Sequence, residues 1–267
     1  MLASRCVPEA GIGGRLRGLV YPGAWCIRKR KLPERLPGTA AGRGIDDLEW
    51  GCRKMDLKID LRVAELLTSR LCHDLVGPIG AVGNGLELLA DDEFGMAEDA
   101  MKLTTSSARQ ASNILQFFRL AYGLAGARVG ADYSQIRDLS AALLETSRTK
   151  LDWTAVQAPD GAPDGIAKAV LNMIALGHEA LPRGGKLSVE ILSAPGSIEA
   201  RVTAAGQDAH LRPESLSGLQ DNVNLDEMTP RGVHGYFTRL MAKRLGSDLE
   251  IETPGPDILL FRVSVAT

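Results

Sequence analysis

The chain has 267 residues, a length that fits one large domain or two domains of ordinary size. Its apolar content of 45% and charged content of 24% are typical of a globular protein, and its net charge is −2. Residues 1–54 carry 11 Lys and Arg against 5 Asp and Glu, so the remaining body is acidic. That body lacks the basic footprint of a nucleic-acid-binding protein, and no apolar run reaches the roughly 20 residues of a membrane span. We therefore expect neither nucleic acid nor membrane among the partners.

Residues 1–54 also differ in pattern, because they are rich in Gly, Pro and Arg and show no sustained apolar period. We predict a disordered extension, with Met55 as an alternative true start. A targeting peptide and a basic arm that touches a partner are the other interpretations. Three of the four cysteines lie in this segment, which leaves only Cys72 in the body, too few for a disulfide framework. This cysteine usage fits a reducing compartment, so we expect a cytoplasmic protein.

Regular patterning begins at Met55 and predicts two long helices, over residues 60–90 and 96–122, joined by a turn. Such a helical hairpin buries little surface alone, so it needs a second layer or a second copy of itself. Three further helices and four strands follow, over 134–150, 164–180, 186–192, 197–204, 232–245, 248–253 and 257–266. Asp164 is the predicted N-cap of the helix that it opens. We predict an α+β fold, with a hairpin domain over 55–126 and a mixed domain over 127–267.

His73 lies in the middle of the first predicted helix, within the stretch CHDLVGP. One side of this helix carries an apolar stripe of seven residues: Leu67, Leu71, Leu75, Ile79, Val82, Leu86 and Leu89. At about 100° per residue, His73 points to the opposite side, towards solvent. The spacing therefore predicts an accessible imidazole, either an ordinary surface histidine or a reactive one.

The helix face that carries His73 has an unusual composition. It presents four small or uncharged residues: Ser69, Gly77, Gly80 and Asn84. An exposed helix face usually carries Lys, Glu or Arg, and a glycine inside a helix costs about 1 kcal/mol relative to alanine. Together with Pro78, these residues either break the helix in two or clear a flat track on which a partner approaches the imidazole. The apolar stripe continues in register through them, which favours the track.

Several reactions of histidine do not fit this position. A metal site needs three or four ligands, and His73 with Asp74 supplies too few, so we predict no metal site. A nucleophilic pair with Cys72 fails because neighbouring helix positions diverge by about 100°, and a convex helix offers no pocket for a small substrate. What remains is a nucleophilic imidazole that attacks phosphorus and holds the phosphoryl group, in a position that suits transfer to a second protein.

These residues also resemble a known motif. The segment HDLVGP is similar to the H-box of two-component dimerisation and phosphotransfer domains, H-[ED]-x-x-x-P, in which His73, Asp74 and Pro78 occupy the matching positions. With FFRLAYG at the end of the second helix and EALPRGG further on, the chain from about residue 60 onwards resembles the ChpT-type histidine phosphotransferases of alphaproteobacteria. The extension, residues 1–54, lies outside the resemblance.

The resemblance implies a fold and an activity. The hairpins of two protomers form a homodimeric four-helix bundle, and each is followed by an α/β sandwich like the Bergerat-type ATPase domain of histidine kinases. His73 takes a phosphoryl group from the receiver aspartate of a hybrid histidine kinase and passes it to response regulators of the CtrA and CpdR type. The incoming receiver docks on the track and brings the Mg²⁺. Asp74 orients the imidazole or a nearby cation, and Arg70 helps to neutralise the phosphoryl group.

The resemblance further implies that this ATPase-like domain binds no nucleotide cofactor. Its N-box has one asparagine, Asn172, instead of two, and Ala204 stands where a kinase has the adenine-binding aspartate. The final glycine-rich loop keeps only Gly232 and Gly235, whereas phosphate loops need closely spaced glycines. An ATP-dependent sensor histidine kinase is the alternative that this erosion opposes. A non-enzymatic dimeric scaffold is another alternative, which the track of small residues opposes.

Overall fold

The structure is a computed structural model, and it describes residues 60–91, 95–123, 133–153, 162–163 and 165–266. The extension over 1–54, the N-cap Asp164 and the predicted domain boundary at residues 126 and 127 lie outside this description. The helices are α1 (Leu61–Ala90), α2 (Ala97–Ala121), α3 (Tyr133–Leu144), α4 (Ile166–Glu179), α5 (Pro213–Gly218) and α6 (Val233–Arg244). The strands are β1 (Thr149–Asp152), β2 (Gly185–Ala194), β3 (Ser197–Ala205), β4 (Glu250–Gly255) and β5 (Ile258–Ala266).

The first two helices form the predicted hairpin. Asp60 is the N-cap of helix α1, and its side chain accepts a hydrogen bond of 2.8 Å from the backbone N–H of Arg62. It then runs through Pro78 and its glycines as one helix, so the interpretation of a helix broken in two is wrong. Helix α2 packs along α1, and a Cβ added at Gly85 would come within 3.2 Å of the Ala100 carbonyl oxygen. Gly85 therefore allows the two helices to approach closely.

The mixed part of the chain is one five-stranded sheet in the order β1-β2-β3-β5-β4. Strand β1 pairs parallel with β2, and the other neighbours pair antiparallel. Strand β3 alternates buried and half-buried residues along its length, because one face of the sheet is covered by helix α4. Gly177 of α4 lies against Leu187 and Ala204 of the sheet, where a larger residue would not fit. The predicted α+β fold is confirmed.

Two differences from the predicted elements are instructive. The helix predicted over 134–150 ends at Leu144, and Thr149–Asp152 form β1, which pairs with residues 185–188. A four-residue strand is too short for its alternating pattern to be distinguished from the end of a helix, and only its pairing with β2 defines it. Helix α5 and a 3-10 turn over Leu225–Glu227 were not predicted either, since each is shorter than two helical turns.

The apolar core joins the hairpin to the sheet. Its main cluster lies between α4 and the sheet and includes Phe117, Phe118 and Ala121 from the end of α2. A second cluster packs Val63 and Leu66 of α1 against the segment that leads into α6. Helix α1 is therefore held at its N-terminal half by residues from the far end of the sequence. Within the described ranges, no helix is both long and apolar enough to cross a membrane.

Candidate functional site

His73 stands in the middle of α1 with 73% of its side chain exposed, on the side that the helical spacing predicts. Its Nδ1 atom lies 3.3 Å from the Oδ1 atom of Asp74. If the imidazole is neutral, this contact places the ring proton on Nδ1, because the carboxylate only accepts. The Nε2 atom then keeps its lone pair and is the nucleophilic position of the ring.

The four residues of the predicted track are all exposed: Ser69, Gly77, Gly80 and Asn84. A Cβ added at Gly77 or at Gly80 would meet no atom within 4 Å. These two glycines are therefore not required by packing inside the protomer. They leave a low surface along α1 on the C-terminal side of the imidazole.

Arg70 is not the free surface cation that its place one turn before His73 suggests. Only 13% of its side chain is exposed, and its Nη2 atom donates to the carboxylate of Glu179 in α4. Its Nη1 atom donates to the backbone carbonyl of Arg231 at 3.3 Å. Its Nε atom lies 3.7 Å from the Oδ2 atom of Asp74. The guanidinium thus connects Asp74, beside the imidazole, to the second part of the chain.

Glu179 is the centre of this connection. In addition to Arg70, Ser215 donates to its Oε2 atom at 3.2 Å, and the Nδ1 atom of His234 lies 3.0 Å from its Oε1 atom. Burial alone would raise the pKa of Glu179, but the hydrogen bond with His234 and the charge of Arg70 lower the pKa below its ordinary value. The carboxylate is therefore ionised and balances the charge of Arg70.

His234 is fully buried. Burial lowers the pKa of its imidazole despite the neighbouring carboxylate of Glu179, so the ring is neutral and its Nδ1–H donates to Glu179. The sequence gives no sign of this contact, because Glu179 and His234 are 55 residues apart.

A cleft of about 570 Å³ opens beside the imidazole, which we call the His73 cleft. Its walls include Ser69, Arg70 and His73 from α1, and Arg212, Ser215 and Arg231 from the segment around α5. The expectation of an isolated convex helix is therefore wrong, because the second part of the chain forms a wall next to His73. The cleft brings three arginines and three carboxylates, Asp74, Glu179 and Glu214, together with the imidazole. Arg70 is paired with Glu179, so Arg212 and Arg231 are the cleft arginines that can face an incoming anionic group.

The positions that resemble a nucleotide site are occupied by internal contacts. The amide of Asn172 donates to the carbonyl oxygens of Ala121 and Lys168, at 2.9 and 2.8 Å. Gly232 and Gly235 allow α6 to lie against α5, since an added Cβ would come within 2.6 Å of the Glu214 carbonyl oxygen and 2.7 Å of that of Ser215 respectively. Among the described residues, no group of three or more His, Cys, Asp or Glu side chains is placed to hold a metal ion.

Comparison with known proteins identifies the family. A family model described as the histidine phosphotransferase C-terminal domain matches residues 134–257. The chain is 34% identical over 200 residues to the protein phosphotransferase ChpT of Brucella abortus (strain 2308). The aligned region covers 74% of this chain and 94% of that protein. The chain belongs to the ChpT family of histidine phosphotransferases. The predicted class of enzyme, a phosphotransferase, is thereby confirmed.

A solved structure agrees with membership of the ChpT family. A bacterial phosphotransferase superposes with a TM-score of 0.65 at 32% identity, over 77% of this chain and 97% of that one. The histidine kinase AdeS of Acinetobacter baumannii matches with a TM-score of 0.42 at 14% identity, over 73% of this chain and 97% of that one. As a member of the ChpT family, the chain has a helical region followed by a mixed α/β domain.

Proposed function

We propose that His73 carries a phosphoryl group between receiver domains in a phosphorelay. The observation that carries the proposal is the exposed imidazole of His73, whose Nδ1 atom faces Asp74. Family membership supports phosphotransfer as the chemistry, and exposure supports a protein as the substrate. The donor is the receiver domain of a hybrid histidine kinase, and the acceptors are response regulators of the CtrA and CpdR type.

The reaction proceeds in two balanced steps. The Nε2 atom of His73 attacks the phosphorus of the receiver's aspartyl phosphate, the bond from phosphorus to the carboxyl oxygen breaks, and the aspartate leaves as a carboxylate. In the second step, the aspartate of another receiver attacks the phosphorus and the imidazole leaves. Phosphoryl transfer depends mainly on positioning and on stabilisation of charge. Asp74 supplies positioning by holding Nδ1–H, and the receiver brings the Mg²⁺.

The receiver docks along α1. Its active site covers His73, and its surface rests on Ser69, Gly77, Gly80 and Asn84, where the absence of large side chains permits close approach. Arg212 and Arg231 of the His73 cleft add positive charge beside the incoming group. Arg70 contributes less directly than its position in the sequence suggests, because its guanidinium is engaged by Glu179.

The working unit is a homodimer in the cytoplasm. Several large apolar side chains of the hairpin are exposed in one protomer, among them Ile79 and Leu86 of α1 and Met101 and Leu115 of α2. A second hairpin that covers this surface completes a four-helix bundle, in which two antiparallel pairs bury their apolar sides. The His73 face of α1 is a different face, so it stays available to a receiver.

Phosphate enters from a receiver and not from ATP. The donors of Asn172 are directed to backbone carbonyls of α2 and α4, which supports a domain without a nucleotide cofactor. Such a domain positions the hairpin and forms a wall of the His73 cleft.

Transfer of label tests the proposal. The purified protein is incubated with a radiolabelled phosphorylated receiver domain of a hybrid kinase, and separately with radiolabelled ATP. We expect label on the protein from the receiver and none from ATP, and its loss in His73→Ala. His210→Ala is the matched control, because His210 is also exposed but lies outside the His73 cleft, and it keeps the label. Label from ATP alone, or label that survives His73→Ala, contradicts the proposal.

A further inference from the structure

A continuous series of polar contacts runs from the second part of the chain to the imidazole. It passes from Glu179 to Arg70, from Arg70 to Asp74, and from Asp74 to His73. We propose that Glu179 is a positioning residue for phosphotransfer, which acts through Arg70 on Asp74 and so fixes the ring of His73 with Nε2 towards the receiver. The inference rests on the proposed function, because it assigns a role in that reaction.

Arg70 transmits the position of Glu179 because its guanidinium has partners in three directions. Nη2 binds Glu179 of α4, and Nη1 binds the carbonyl of Arg231 before α6. Nε is buried and makes no hydrogen bond within the described residues, but it lies 3.7 Å from the Oδ2 atom of Asp74, close enough for an ion pair. A guanidinium is planar and its donors have fixed directions, so two anchored nitrogens determine where the third edge lies. The contacts with Glu179 and with the Arg231 carbonyl, both outside α1, therefore fix the edge of the guanidinium that faces Asp74.

Glu179 is itself fixed from three elements. Arg70 of α1, Ser215 of α5 and His234 of α6 all donate to its two oxygens. Ser215 and His234 are buried, with 1% and 0% of their surfaces exposed, so neither donor is displaced by water. The position of the second part of the chain therefore determines where the Glu179 carboxylate lies beside α1.

The two carboxylate oxygens of Asp74 face different neighbours, Arg70 and His73. Oδ2 faces the Nε atom of Arg70 at 3.7 Å, and Oδ1 faces the Nδ1 atom of His73 at 3.3 Å. Among the described residues, Asp74 forms ion pairs with Arg70 and His73 alone, so without the charge of Arg70 no second ion pair holds Oδ1 towards the ring. The imidazole then loses the acceptor that selects the Nδ1–H tautomer and the outward Nε2 lone pair.

The test separates positioning from folding. Glu179→Gln removes the charge and keeps the shape, although it leaves Arg70 without its counter-ion. The double variant Arg70→Met, Glu179→Met removes both charges, as apolar replacements of a buried ion pair often do without loss of the fold. Because Ser215 and His234 lose their acceptor in this variant, circular dichroism first checks that it is folded. Glu250→Gln is the matched control: Glu250 also binds an arginine, Arg262, but it lies on the edge strand β4, outside the His73 cleft.

Two measurements are made on each folded variant: the rate of transfer from a radiolabelled phosphorylated receiver domain, and the ring-nitrogen chemical shifts of His73. We expect both variants to transfer roughly tenfold to a hundredfold more slowly, the usual effect of a misplaced reacting group. We also expect their His73 ring to show a mixture of tautomers where the wild type shows Nδ1–H. The Glu250→Gln protein matches the wild type in both measurements.

A double-mutant cycle with Asp74→Asn identifies the route. If Glu179 acts through Asp74, adding Glu179→Gln to Asp74→Asn slows transfer little further. Additive losses, unchanged His73 shifts in the two variants, or wild-type rates in the Arg70→Met, Glu179→Met protein would each overturn the inference. Failure of the wild type itself to take label would contradict the proposed function instead.

Discussion

The Nδ1 atom of His73 and the Oδ1 atom of Asp74 lie 3.3 Å apart, although the two residues are neighbours on one helix. Side chains at adjacent helix positions normally diverge by about 100°. The contact forms because the Asp74 carboxylate turns back towards the ring while its other oxygen faces Arg70. A short polar side chain thus contacts one ring nitrogen of His73, and in the proposed mechanism this contact leaves the other nitrogen free to react.

Asp74→Asn is expected to slow phosphoryl transfer more than receiver binding. The asparagine keeps an oxygen near Nδ1, but it loses the charge that strengthens the contact, and bonds to charged groups contribute about 1.5–3 kcal/mol. A loss of that size corresponds to a rate roughly tenfold to a hundredfold lower. Single-turnover transfer from a labelled receiver measures the rate, and titration of the unphosphorylated receiver measures affinity. Glu87→Gln changes an exposed acid elsewhere on α1 and leaves both unchanged. Equal rates for Asp74→Asn and wild type would remove Asp74 from the reaction.

The glycines of α1 are expected to respond in opposite directions to the same substitution. Gly80→Ala places its methyl group in open space and gains helix propensity, so we expect the free energy of unfolding to rise by about 1 kcal/mol. Gly85→Ala places its methyl group onto the Thr104 hydroxyl, so we expect a decrease instead. Urea unfolding of the two variants measures both changes. A destabilised Gly80→Ala protein would mean that packing, and not access, requires a glycine there.

A large residue at the same position tests access to His73. Gly80→Trp adds a side chain on the track beside the imidazole, so we expect a receiver domain to bind at least tenfold more weakly while the protein remains folded. The Gly80→Ala protein is the control, because its small side chain occupies the same place. Unchanged receiver affinity in Gly80→Trp would show that the receiver does not contact this part of α1.

The sequence predicted the long elements well and the site only in part. The predicted and observed bounds of α1 and α2 agree within about a residue. A helical pattern that extends over 25 or more residues leaves little freedom in where the helix begins and ends. The orientation of His73 follows from the same period. The partner of Arg70 does not, since Glu179 lies 109 residues away and reaches it only after α4 packs beside the hairpin. Contacts between distant elements have no local signal, which is why the His73 cleft was not predicted.

The exposed apolar side of the hairpin is expected to form the dimer. Ile79 and Leu86 are 56% and 55% exposed in the protomer, and neither belongs to a buried cluster. A glutamate at both positions introduces charge on this surface, so we expect the dimer to dissociate into folded monomers. Light scattering at several concentrations measures the mass, and circular dichroism measures the helix content. Leu192→Glu on β2, where the leucine is 42% exposed, is the matched control and leaves the dimer intact. Dimers that persist in the double glutamate variant would place the interface elsewhere.

Lys168 of α4 is expected to give the stability a distinctive dependence on pH. Its buried amine donates to the carbonyl oxygens of Tyr122 and Gly123, at 2.9 and 3.1 Å, and so caps the end of α2. Burial, together with the nearby charge of Arg244, lowers the pKa of Lys168 to about 8 from its ordinary value of 10.5.

The sign of the effect follows from which state binds the proton. Between about pH 8 and pH 10.5, the amine of Lys168 is protonated in the unfolded chain and largely neutral in the folded protein. The unfolded state then binds more protons, so the free energy of unfolding rises with pH across this window. Below about pH 8 both states are protonated, and Lys168 contributes no slope. We expect the unfolding free energy of the wild type, minus that of Lys168→Met, to increase from pH 8 to pH 10.5, as measured by urea unfolding. Lys150→Met, which removes an exposed lysine of β1, runs parallel to the wild type. A constant difference between wild type and Lys168→Met across the window would mean that burial does not hold this amine below its ordinary pKa.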